Sequence, residues 1–67
     1  MSAIRYPEVH VRLTGTDGNA FSVMGRVSQA LARAGVDKEE RDVFVAKATA
    51  GDYNHLLRTA MRWVDVS

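Results

Sequence analysis

The residue pattern predicts an α+β fold, a single small domain ordered β-α-α-α-β around a short two-stranded sheet. Three observations carry this. Strict apolar and polar alternation stands near the N-terminus, three stretches with apolar residues at helical spacing follow, and alternation returns in the last six residues. At 67 residues the chain is one domain at most, and so short a chain buries only ~60% of its unfolded surface.

Each element has its own justification. Residues 1–6 are expected to form a flexible N-terminal tail and 7–67 the domain, because Pro7 cannot donate to a ladder and biases Tyr6 toward an extended backbone. From Glu8 to Thr14, Val9, Val11 and Leu13 point one way while Glu8, His10, Arg12 and Thr14 point the other, which reads as a half-buried strand. Gly15-Thr16-Asp17-Gly18-Asn19 is a turn in which Gly18 takes a positive φ and Asp17 or Asn19 caps the next helix. Ala20, Val23, Met24, Val27, Ala30, Leu31 and Ala34 then predict a helix over 20–34, closed by Gly35 in a left-handed cap.

Asp37-Lys38-Glu39-Glu40 reads as a capping box, with Asp37 accepting from the N3 amide and Glu40 reaching back. The second helix starts there, carries Val43, Phe44, Ala46 and Ala48, and ends at Gly51. Asp52 caps a third, with Tyr53, Leu56, Leu57, Ala60 and Met61 on one face. The final strand places Val64 and Val66 on one side and Trp63, Asp65 and Ser67 on the other, although no turn residue precedes it and a continued helix is the alternative. Two strands with two open edges are marginal alone, so a homo-oligomer that extends the sheet or buries its face is expected.

Composition excludes several functions. With no cysteine there is no disulfide, iron–sulfur or thiol chemistry, and a reducing, cytoplasmic location is expected. No signal-peptide pattern and no bilayer-length apolar run is present, so no membrane partner is expected. A net charge of +1 supplies no overall field for a polyphosphate backbone. The stretch after Gly35 has the outline of a helix-turn-helix, but four of the six residues Asp37-Lys38-Glu39-Glu40-Arg41-Asp42 are acidic, which argues against double-stranded nucleic acid.

No catalytic group is expected. Ser22 and Ser28 lie within a helix, away from any nucleophile elbow, and His10 and His55 read as surface residues. Asp52 and His55 are the only close helical pairing for a metal, short of the ligands zinc needs, and no cofactor is expected.

Three features point to binding. The Asp17-Gly18-Asn19 turn opens a helix N-terminus, which is either an anion site or a plain capped turn, and the Asp17 carboxylate favours the latter. Arg26 and Arg33 share a helical stripe with Ser22 and Gln29. Gly25 in mid-helix costs roughly 1 kcal/mol relative to alanine, which suggests a close approach by a partner helix, the third helix or a ligand. The outer strand face is expected to gather Glu8, His10 and Arg12 with Trp63 and Asp65. There Trp63 would either stack on a nucleobase beside a phosphate on Arg12, or anchor a subunit interface with His10, Arg12 and Asp65.

The strings Asp17-Gly18-Asn19-Ala20-Phe21, Ala34-Gly35-Val36, Gly51-Asp52-Tyr53, Leu56-Leu57 and Trp63-Val64 together resemble a family of short proteins from actinobacteria and their phages. The resemblance spans nearly the whole chain, and because that family has no assigned function it implies an organisation and no catalytic residue. Its phage context implies one further expectation, since small oligomeric phage proteins sequester nucleotide immune signals in pockets between subunits. Arg12, Arg26, Arg33, Trp63 and the Asp17-Gly18-Asn19 turn would furnish such a pocket. The function expected is thus a non-catalytic oligomeric module for a small anionic or nucleotide ligand. The alternative is a protein-interaction module with no small ligand.

Overall fold

The computed structural model describes residues 4–13 and 19–67. Its elements are β1 (Tyr6–Val11), α1 (Ala20–Arg33), α2 (Lys38–Ala48), α3 (Tyr53–Trp63) and β2 (Val64–Val66), which is the α+β order the sequence predicts. The predicted turn residues Asp17 and Gly18 lie outside the described residues.

The caps explain where the helices begin and end. Asn19 accepts from the Phe21 amide at 2.8 Å, Asp37 from the Glu40 amide at 2.9 Å and Asp52 from the His55 amide at 2.9 Å, satisfying donors that a first turn leaves open. Gly35 closes α1 at φ 90°, the left-handed region that a side chain would disfavour.

β1 and β2 pair in parallel, Tyr6 opposite Val64, His10 opposite Asp65 and Val11 opposite Val66. Parallel strands require a long crossover, and the three helices supply it. The register is irregular between Tyr6 and His10, a stretch that contains Pro7, which has no N–H for a ladder. Pairing runs past the strand ends, with Arg5 N–H to the Arg62 carbonyl at 2.8 Å and Leu13 N–H to the Ser67 carbonyl at 2.9 Å.

One core joins all five elements. Val9 and Val11 of β1 meet Val23, Val27 and Leu31 of α1, Phe44 and Ala48 of α2, Leu56, Ala60 and Trp63 of α3, and Val64 of β2. The helical members recur at three- and four-residue steps, as one buried stripe per helix requires. The inner face of the sheet is thus packed on the helices.

Four expectations are corrected. Trp63 does not stand on an outer strand face: it ends α3 and is 5% exposed, because the 56, 60, 63 spacing keeps it on the stripe of Leu56 and Ala60. Glu40 does not reach back to its own cap, since its carboxylate turns to Arg5 and Tyr6. Tyr6 and Arg5 are therefore held by the domain and are no part of a loose tail. Met61, expected on the inner face of α3, is 57% exposed, because it falls outside the 56, 60, 63 stripe.

Candidate functional site

Arg12 follows β1, and Arg26, Gln29 and Arg33 lie on one stripe of α1. Val9 and Val11 face the core that Val23, Val27 and Leu31 of α1 share, and α1 packs against β1. This packing sets the polar stripe of α1 beside the strand. Between them lies an open groove of about 450 Å³, lined by His10, Val11, Arg12, Arg26, Gln29, Ala30 and Arg33. Three of the arginines that sequence reasoning singled out are thus brought together across the fold.

Charge is not cancelled locally. Among the described residues the ion pairs join Arg5 to Glu40, His10 to Asp65 and Lys38 to Asp42, and none involves Arg12, Arg26 or Arg33. His10 Nδ1 and Asp65 Oδ2 are 2.7 Å apart, so the imidazole at the groove's edge is pinned toward β2. His10, and not Arg12, is thus the β1-side partner of Asp65.

The remaining predicted site residues lie elsewhere. Asn19 caps α1 and does not line the groove. Trp63 is buried beneath Tyr6 and Phe44, with ring centroids 5.9 and 5.4 Å away, and supplies no stacking platform. Gly25 faces a second groove, of about 520 Å³, with Ser22, Ser28, Arg26 and Arg41. Among the described residues a Cβ built on Gly25 meets nothing within 4 Å, so neither α3 nor any other described element approaches it.

A cluster that sequence reasoning missed closes the far end of the sheet. Glu40 Oε2 accepts from Arg5 Nε at 3.0 Å, from Arg5 Nη2 at 2.6 Å and from the Tyr6 hydroxyl at 2.7 Å. The Arg5 guanidinium also lies 4.8 Å from the centre of the Trp63 ring, a cation–π geometry. The Tyr6 hydrogen bond, helped by Arg5, lowers the Glu40 pKa, while the same bond raises that of Tyr6. Its partners stand 34 or 35 positions apart in sequence, so no local spacing could have signalled it. These groups are mutually satisfied and act as a clasp on the N-terminal segment.

His55 Nε2 donates to the Lys47 carbonyl at 2.8 Å, and no group of three acidic or histidine side chains suited to a metal occurs among the described residues. No described helix is long and apolar enough to cross a membrane. No family model, curated protein or solved structure matches the chain, and the resemblance read from the sequence therefore assigns no role to any residue.

Proposed function

We propose that this chain is a non-catalytic binding module that holds an anionic ligand in the groove between β1 and α1. One observation carries the reading: Arg12, Arg26 and Arg33 line a single groove and have no acidic partner among the described residues. Like charges gathered without compensation repel one another, and an anion relieves that repulsion through charge-assisted hydrogen bonds. Self-association, expected from the open sheet edges, would have to avoid the β1 edge, where two copies would oppose their arginines.

The test is amide chemical-shift mapping by NMR with inorganic pyrophosphate as the probe. Shifts confined to residues 10–12 and 26–33, and lost in the Arg26→Gln/Arg33→Gln variant with its spectrum otherwise intact, are the expected result. Shifts spread equally over the exposed Arg58 and Arg62 surface, or none at all, would overturn it.

A further inference from the structure

The main chain along this groove is as informative as the arginines. In the parallel ladder, Ser67 N–H donates to the Val11 carbonyl at 3.0 Å and Leu13 N–H to the Ser67 carbonyl at 2.9 Å. Val11 and Leu13 therefore turn their main-chain groups toward β2, and the strand's alternation directs those of His10 and Arg12 to the opposite edge. Among the described residues that edge carries no third strand. The Arg12 N–H and carbonyl have no hydrogen-bond partner within the described chain.

The open edge and the arginine groove are one feature. A second hollow, of about 310 Å³, continues along the same strand and helix from Glu8 to His10 beside Ala30, Arg33 and Ala34. Together they form a trough with the edge of β1 as one wall and α1 as the other. Five residues of strand extend about 16 Å, enough for a short extended segment. Arg26 and Arg33 lie seven residues apart on α1, about 10 Å along the axis. Side chains two or four positions apart on one face of a strand are about 7 or 13 Å apart, so alternate residues of an added strand bracket that spacing.

We propose that the occupant is an acidic, extended segment of another protein, added as a strand to the edge of β1 with alternate carboxylates on Arg26 and Arg33. This rests on the anionic-groove reading and names its ligand. Charge complementarity selects the partner: the wall of α1 offers two guanidiniums and an amide, whereas a second copy would bring arginine against arginine. Trp63, the ring expected to stack on a nucleobase, is buried and lies outside the groove. Main-chain pairing supplies affinity that does not depend on side-chain identity, and the arginines supply the preference for acidic residues.

The experiment uses the whole chain unaltered and varies the probe. A fluorescein-labelled peptide alternating glutamate and valine is titrated at low salt beside an analogue N-methylated on alternate residues, which keeps the charge and removes the donors facing β1. Binding of the first, with slowed amide exchange at His10 and Arg12 and affinity about tenfold weaker for the analogue, is the expected result, equivalent to losing one or two net hydrogen bonds. Equal binding of both peptides would overturn strand addition while leaving the anionic groove in place. Pyrophosphate shifts at the groove without peptide binding would assign it to a small anion and overturn the peptide. Failure of every anionic probe would overturn both readings.

Discussion

Replacing Gly25 by alanine should stabilise this protein. Gly25 sits in the interior of α1, takes no positive φ, and would place its new methyl group in open space, with nothing within 4 Å. No packing penalty therefore opposes the gain in helix propensity, which is about 1 kcal/mol for alanine over glycine in a helix interior. In a domain of 60–100 residues, 1 kcal/mol moves the midpoint by about 4–8 °C. Thermal unfolding followed by circular dichroism reads that shift, and Gly35→Ala is the opposing control. At φ 90° a side chain is strained, so that variant should lower the midpoint although its surroundings are equally empty. A lowered midpoint for Gly25→Ala, or one that falls only at concentrations where the wild type self-associates, would refute the reasoning. It would mean that a second copy uses the bare backbone of α1.

Two further outcomes follow from the clasp and the core. The folded state holds Glu40 ionised, with its pKa lowered from 4.5; its contribution is complete above that value and is lost as pH falls through the lower folded one. Acid unfolding followed by Trp63 fluorescence should show this loss, and Glu40→Gln should be less stable at neutral pH with a flatter acid limb; an unchanged limb counts against the clasp. Phe44, fully buried and edge-on to Trp63 at 5.4 Å, should cost about 3–5 kcal/mol on truncation to alanine. A small domain has only ~5 kcal/mol to lose, so Phe44→Ala should keep at most about 2 kcal/mol and unfold at a far lower denaturant concentration than the wild type, and an unchanged midpoint would refute the packing described.

The local signals were legible because their physics is local. Asp37 and Asp52 cap their helices through amides three residues on, and Gly35 stops α1 where a left-handed residue is needed. Val9 and Val11 announce a strand face by alternation, and Val23, Val27 and Leu31 a helix face by steps of four. The arginine stripe of α1 was visible for the same reason. Trp63 was misassigned because a three-residue strand follows α3 without a turn former, leaving period two and period 3.6 equally plausible at the boundary. The periodicity of Leu56, Ala60 and Trp63 held the answer.

The elements, their caps and their buried faces can be read along the chain, since each is set by residues within a turn or two of one another. Long-range packing alone makes β1 and β2 run parallel, closes Arg5 and Tyr6 on Glu40 over Trp63, and brings Arg12 to Arg26 and Arg33. Those relations join residues far apart in the chain, and packing against the shared core sets them: α1 comes to lie beside the open edge of β1 because its buried stripe of Val23, Val27 and Leu31 shares one core with Val9 and Val11. The candidate site is a by-product of that packing, since a polar stripe one side of a helix away from the core has to border whatever the core places next to it.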